Sequence, residues 1–144
     1  MDSSCCTKNL LAVAAALNFF LAAGCENPAA MNASTANVKH ITPGEFAEEV
    51  TRCTQPVVVD FYATWCVPCR QLTALLDGVA GGYTNKIKFV KINVDESPAL
   101  ADTFHVQGIP TVLLFKDGKV SDSITGLPME AELKGKLDTL VTAK

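Results

Sequence analysis

The feature that most constrains this chain is a pair of cysteines separated by two residues, Cys66-Val67-Pro68-Cys69. It directly follows residues 57–62, a continuous β-branched and aromatic run typical of a strand buried on both faces. Leucines at helical spacing come after it. Cysteines at this spacing can close a small disulfide ring, and a helix N-terminus stabilises a thiolate on the first of them. The pattern therefore favours a redox centre.

Half of a zinc site is the competing interpretation, because zinc takes four ligands and often draws two of them from such a pair. The other candidate ligands in the foldable part of the chain are Cys53, His40 and His105. None of these belongs to a second ligand pair. The sequence favours redox chemistry over metal binding, and we expect no metal.

Composition restricts the chain to one ordinary domain. With 144 residues, of which 49% are hydrophobic, it is long and apolar enough to form a real core. The net charge of -3 gives no electrostatic support for nucleic-acid binding. Three of the six cysteines, Cys5, Cys6 and Cys25, lie in the N-terminal segment, so the set is not a disulfide framework.

The N-terminal segment has the pattern of an export signal. Residues 10–23 form an apolar run broken only by Asn18. A membrane span needs about 20 residues, so the run suits the core of a signal peptide better. The sequence Leu-Ala-Ala-Gly-Cys at 21–25 resembles the bacterial lipobox, in which cleavage precedes a lipid-modified cysteine. We therefore predict a signal peptide over 1–24 and lipidation of Cys25; an ordinary cleaved signal and a retained short anchor are the alternatives.

Residues 25–37 are rich in Ala, Asn, Ser and Pro without a hydrophobic period, which predicts a flexible tether. The folded domain is expected over 38–144. Helices are predicted at 42–53, where Thr42 and Glu45 can form a capping box, and at 67–81, 97–104 and 129–141. Strands are predicted at 38–41, 57–62, 87–94, 111–115 and 120–125, the last two joined by an Asp117-Gly118 hairpin turn. This order predicts an α/β fold with a central mixed β-sheet flanked by helices on both faces.

From about residue 38 onward the sequence resembles the thioredoxin family. Five separated motifs in order carry the resemblance: Val-Asp-Phe-Tyr-Ala-Thr-Trp-Cys-Val-Pro-Cys at 59–69, Lys-Ile-Asn-Val-Asp at 91–95, Gly-Ile-Pro-Thr at 108–111, Phe-Lys-Asp-Gly at 115–118, and Gly126. The set covers nearly the whole chain after the tether and is far more specific than a lone Cys-x-x-Cys. It implies the thioredoxin fold and thiol–disulfide exchange.

The resemblance also implies the catalytic roles. Cys66 would be the exposed attacking thiolate and Cys69 the resolving thiol. A carboxylate on a buried strand is costly unless it is used, and the family's aspartate, matched by Asp60, assists proton transfer at the resolving cysteine. Desolvation should raise the pKa of Asp60. Lys91 matches the lysine partner of that aspartate; the alternatives are a purely structural Asp60–Lys91 pair and a solvated Lys91.

Further residues are implied in contacts with the substrate. Pro110 matches the family's cis-proline, which faces the cysteine pair, and the neighbouring backbone can pair with an extended substrate strand. The alternatives without a functional role are a trans turn proline at Pro110, a core tryptophan at Trp65 and an ordinary turn glycine at Gly126. The substrate-contact residues are Trp65, Val67, Pro68, Ile109, Pro110 and Gly126.

Three departures from the family pattern affect specificity rather than chemistry. Val67 stands where the family usually has Gly, Ala74 replaces a mid-helix proline, and Tyr62 replaces a second tryptophan. We expect these changes to alter the reduction potential and the choice of partner. Cys53, at a predicted helix end, is expected to be a small semi-buried residue, with regulatory disulfide or glutathione chemistry as the alternative.

The sequence thus predicts a protein-disulfide reductase outside the cytoplasm, a monomer anchored to the membrane by lipid and needing no cofactor beyond its redox-active disulfide. Pro68 is the reductase-like choice, since strongly oxidising relatives carry histidine there. The expected partners are proteins with disulfides and a membrane electron donor or thioredoxin reductase, and not nucleic acid. The alternatives are a thiol oxidase or isomerase, and a non-catalytic thioredoxin-fold binding module.

Overall fold

The computed structural model describes residues 37–142. The predicted signal peptide, Cys25 and all of the tether except its last residue lie outside the described residues. The strands are β1 (Lys39–His40), β2 (Val57–Tyr62), β3 (Lys88–Asn93), β4 (Thr111–Lys116) and β5 (Lys119–Thr125). The α-helices are α1 (Val67–Ala80), α2 (Pro98–Thr103) and α3 (Glu130–Thr142).

The five strands form one mixed sheet in the order β1-β3-β2-β4-β5. Strands β1, β3 and β2 run parallel, whereas β4 is antiparallel to both β2 and β5. Strand β2 is therefore central and pairs on both sides, which explains its continuous apolar sequence. Its C-terminal end leads directly to the cysteine pair.

Helices cover both faces of the sheet, as predicted. On one face, Val58 of β2 packs with residues of α1 and α3, among them Leu72 and Leu137. Because side chains alternate along a strand, Phe61 points to the opposite face. There its ring contacts Phe104, which follows α2, and Phe104 contacts Phe46 and Phe115. Asp60 shares the face of Val58 and thus lies under α1.

The helix predicted over 42–53 forms over 43–51, but it is not a regular α-helix. Pro43–Glu45 forms a 3-10 turn and Ala47–Thr51 a π-helical turn. The predicted capping interaction is present, with the backbone N–H of Thr42 donating to Glu45 Oε2 at 2.8 Å. β-Branched residues near the end have low helix propensity, and the Thr51 hydroxyl bonds back to the carbonyl of Ala47 at 3.0 Å.

The hairpin between β4 and β5 forms where the sequence predicts it. Asp117 and Gly118 both have positive φ, 50° and 74°, as a tight hairpin turn of this class requires. A Cβ on Gly118 would collide with the backbone carbonyl of Thr51. Across residues 37–142, no helix has the length and apolar character needed to cross a membrane.

Candidate active site

The cysteine pair caps α1. Cys66 is the N-cap residue, and its sulfur accepts a hydrogen bond from the backbone N–H of Cys69 at 3.2 Å. The two sulfurs are joined in a disulfide. Pro68 lies in the first turn, where its missing N–H costs nothing and its fixed φ suits a helix. The helix N-terminus thus presents its positive end to the Cys66 sulfur, which favours a thiolate there.

The exposure predicted for Cys66 is wrong for the oxidised chain. Cys66 is 4% exposed and Cys69 1%. The sulfurs are bonded to each other and pack with Ala63, Val94 and Ile109, which cover them. The difference in accessibility between the two cysteines is therefore small in this state, and their separate roles remain predictions.

The loop before β4 lies against the pair. The Ile109–Pro110 peptide bond is cis, and Ile109 packs on the cysteines. The carbonyl of Pro110 accepts a 2.8 Å hydrogen bond from the backbone N–H of Gly126, whose φ is +86°. The expected cis-proline is present, and three motifs far apart in sequence meet at one site.

Trp65 forms one wall of a groove beside the pair. Trp65 is 67% exposed, so the interpretation as core filler is wrong, and its Nε1–H donates to Asp95 Oδ2 at 2.9 Å. The groove has a volume of about 280 Å³, and Val94, Pro98 and residues 106–109 also line it. Asp95 was not predicted as a site residue, although it lies in the 91–95 motif.

Two further predicted contact residues are exposed at the start of α1. Val67, which stands in place of the family's Gly, is 56% exposed, and Pro68 is also exposed. Val67 therefore adds an apolar side chain beside Trp65 on the chain's surface.

Asp60 is fully buried on β2. The Thr73 hydroxyl donates to its Oδ2 at 3.3 Å, whereas Oδ1 has no hydrogen-bond partner. Burial raises the pKa of Asp60 to about 7; the hydrogen bond from Thr73 and the positive charge of Lys91 oppose that rise. A carboxyl that titrates near neutral pH suits proton transfer. Thr73 was not predicted, because its role depends on the packing of α1 on β2.

Lys91 lies opposite Asp60 on β3. Among the described residues, no ion pair of 4.0 Å or less joins the Lys91 Nζ to the Asp60 carboxylate. Its Nζ lies 5.6 Å from the centre of the Tyr62 ring instead. Lys91 therefore interacts with Asp60 through its positive charge and not through a close ion pair. Lys91, Tyr62, Arg70 and Thr73 line a second groove of about 300 Å³.

The remaining candidate ligands lie apart from the pair. Cys53 is a free thiol and is buried rather than semi-buried, at 4% exposure, which favours its structural interpretation. His40 and His105 are exposed. Within residues 37–142, no group of three or more His, Cys, Asp or Glu side chains is arranged to hold a metal ion.

Comparison with known proteins shows which family this chain is similar to. The Thioredoxin family model matches residues 37–139. The chain is 39% identical over 98 residues to thioredoxin 1 of Synechococcus elongatus. The aligned residues cover 68% of this chain and 92% of that protein. It is 36% identical over 106 residues to a thioredoxin of Porphyra purpurea (74% and 99%). It is 37% identical over 102 residues to a thioredoxin of Pseudomonas aeruginosa (71% and 94%).

Proposed function

Because the chain belongs to the thioredoxin family, whose members are thiol–disulfide oxidoreductases, we propose that it reduces protein disulfides outside the cytoplasm. The observation that carries this proposal is the Cys66–Cys69 disulfide at the N-terminus of α1, beside cis-Pro110. A dithiol in this position has an activated sulfur at the N-terminal end of a helix and a second sulfur within bonding distance.

The reaction has two exchange steps. The Cys66 thiolate attacks one sulfur of the client disulfide, which forms a mixed disulfide and releases the other client sulfur as a thiolate. The Cys69 thiolate then attacks the Cys66 sulfur, closes the Cys66–Cys69 disulfide and releases the second client thiolate. Two electrons pass from the chain to the client.

The residues around the pair support both steps. The helix N-terminus and the Cys69 N–H stabilise the first thiolate. Asp60, with its pKa raised to about 7 by burial, would take the proton from Cys69 before the second attack. Trp65 and the backbone at Ile109 would hold the client segment, the latter by strand-like pairing.

The direction of electron flow is part of the proposal. Pro68 before the second cysteine favours a reductase over an oxidase or isomerase, as argued from the sequence. A reductase needs its dithiol restored after each turnover, so the proposal includes a membrane electron donor or a thioredoxin reductase as partner.

Membrane attachment is also proposed, on the sequence alone. The apolar run at 10–23 and the Leu-Ala-Ala-Gly-Cys sequence at 21–25 support export and lipidation of Cys25. Residues 25–37 would then tether the domain to an extracytoplasmic membrane face.

An insulin-reduction assay with dithiothreitol as electron source tests the chemistry. We expect turnover by the wild-type chain and none by the Cys66→Ser, Cys69→Ser double variant. Equal rates would favour the non-catalytic binding module. The reduction potential distinguishes the two directions of electron flow. A value of about -270 mV supports a reductase, whereas a value of about -120 mV supports an oxidase.

A further inference from the structure

Thr73 connects the helix of the cysteine pair to the strand of the buried acid. It lies four residues after Cys69 on α1, so both residues project from the same side of the helix. The Thr73 hydroxyl donates to Asp60 Oδ2 at 3.3 Å. The residue that contacts Asp60 is thus one helical turn from the resolving cysteine.

The other neighbours of Asp60 leave this contact without a substitute. In the sheet, Asp60 is in register with Val112 on β4, which is apolar, and with Lys91 on β3, which makes no close ion pair with it. Oδ1 is buried and has no hydrogen-bond partner. Among the described residues, Thr73 is the only hydrogen-bond donor to this carboxyl.

Thr73 is also half-buried at a groove. Lys91, Arg70 and Tyr62 are the charged and titratable residues that line the same groove. The hydroxyl therefore stands at the boundary between the buried carboxyl and the groove. A hydroxyl can donate to a carboxylate and equally to the carbonyl oxygen of a protonated acid, so one geometry serves both states.

We propose that Thr73 is a positioning residue for the reduction reaction, whose hydroxyl holds Oδ2 of Asp60 and leaves Oδ1 to receive the proton of the Cys69 thiol. This inference rests on the proposed function. In the step, the S–H bond of Cys69 breaks and an O–H bond forms at Oδ1. The resulting thiolate attacks the Cys66 sulfur of the mixed disulfide, and the client leaves as a thiolate that takes a proton from water.

The hydrogen bond from Thr73 also affects the pH at which Asp60 can act as a base. It stabilises the charged carboxylate and so opposes the effect of burial on the pKa of Asp60, as does Lys91. Loss of the hydroxyl removes that stabilisation but leaves the burial. The carboxylate would then form only at higher pH.

The test compares Thr73→Val, which keeps the shape and removes the hydroxyl, with Thr73→Ser, which keeps the hydroxyl. We expect Thr73→Val to move the acid limb of the pH–rate profile for insulin reduction upward by about one pH unit. Turnover should then fall about five-fold at pH 7 and hardly at all at pH 9. Thr73→Ser should follow the wild-type profile. Superimposable profiles for Thr73→Val and wild type would overturn the inference.

Asp60→Asn separates this inference from the proposed function. If Asp60→Asn loses the acid limb and Thr73→Val leaves it unmoved, the positioning role of Thr73 is wrong, whereas the assignment of Asp60 as the base is supported. If Asp60→Asn retains the limb, the role of Asp60 itself fails. A ¹³C NMR titration of the Asp60 carboxyl in the oxidised chain gives a readout without turnover: an upward pKa shift in Thr73→Val supports the inference, and an unchanged pKa overturns it.

Discussion

The indole of Trp65 donates a 2.9 Å hydrogen bond to the carboxylate of Asp95, thirty residues further along the chain. The tryptophan precedes α1, whereas Asp95 follows β3, so the bond joins two loops at the carboxyl edge of the sheet. Trp65 is 67% exposed, so few packing contacts hold its side chain in one rotamer. Asp95 therefore fixes the flat apolar wall of the groove beside the cysteines.

Removal of this carboxylate should weaken client binding. A hydrogen bond to a charged group contributes about 1.5–3 kcal/mol at most sites, and less where water competes. We expect Asp95→Ala to raise KM for a protein client about three- to five-fold, with kcat nearly unchanged. Trp65 is the sole tryptophan of the sequence, so its fluorescence anisotropy should fall in the same variant and report the freed ring directly.

Two variants serve as controls. Asp95→Asn keeps an acceptor oxygen and should retain most of the affinity. Asp102, an exposed carboxylate lining the same groove, tests whether charge alone matters. An Asp102→Ala effect as large as that of Asp95→Ala would show that the groove's charge, and not the indole bond, is responsible.

The two cysteines should differ in the complexes that they trap. Cys69→Ser should accumulate mixed disulfides with clients, because Cys66 still attacks and nothing resolves the product. Cys66→Ser should trap none, since Cys69 lies inside the first turn of α1 and lacks the N-cap position that favours a thiolate at Cys66. Non-reducing gels check this. Equal trapping by both variants would contradict the roles, and the small difference in burial makes that outcome a real test.

Burial of Asp60 should make stability depend on pH. Its pKa is about 7 in the folded chain, against 3.8 for an ordinary aspartate. Between these values the folded state binds more protons than the unfolded state, so the free energy of unfolding falls as pH rises through this window. A variant without the carboxyl avoids that loss. We expect Asp60→Ala to gain about 2–4 kcal/mol over wild type at pH 8 and much less near pH 4, while its turnover falls.

Urea unfolding of the oxidised chain at several pH values checks this expectation. Asp60→Asn is the matched control, because it leaves no cavity and should show the same pH trend. A stability difference that does not change between pH 4 and pH 8 would show that Asp60 is not the group responsible.

Local chemistry explains which parts of this chain were predictable. The strand Val57–Tyr62 and the Asp117-Gly118 turn depend on their own residues, and both were predicted. The roles of Asp95 and Thr73 depend on contacts across thirty and thirteen residues, which no periodicity reveals. The helix predicted over 42–53 forms as a 3-10 turn followed by a π-helical turn, because its cap is a local signal but a regular α-helical continuation is not. Likewise, matching Lys91 to a family position did not give the orientation of its side chain.

Two glycines with positive φ should respond differently to the same substitution. At Gly126 a Cβ meets no atom within 4 Å, so Gly126→Ala should cost only the strain of φ +86°, about 1 kcal/mol. At Gly118 the Cβ would also strike the backbone carbonyl of Thr51, so Gly118→Ala should cost about 2–4 kcal/mol. Chemical denaturation of both variants measures the difference. Equal costs would show that Thr51 and its turn yield easily.

Lipidation of Cys25 should determine where the protein resides. If Cys25 is lipidated, the mature chain begins there, and two or more acyl chains give stable anchoring because each buried methylene contributes about 0.8 kcal/mol. The wild-type protein should then remain with membranes through a salt wash and dissolve in detergent.

Cys25→Ala should block lipoprotein processing, and Cys53→Ala, at a buried thiol, should leave it unchanged. A domain beginning at Val38 should reduce insulin in solution at the wild-type rate. The intact mass of the mature protein from the native host decides the matter: a chain that begins elsewhere, or a free thiol at Cys25, would remove the anchor and leave the disulfide chemistry untouched.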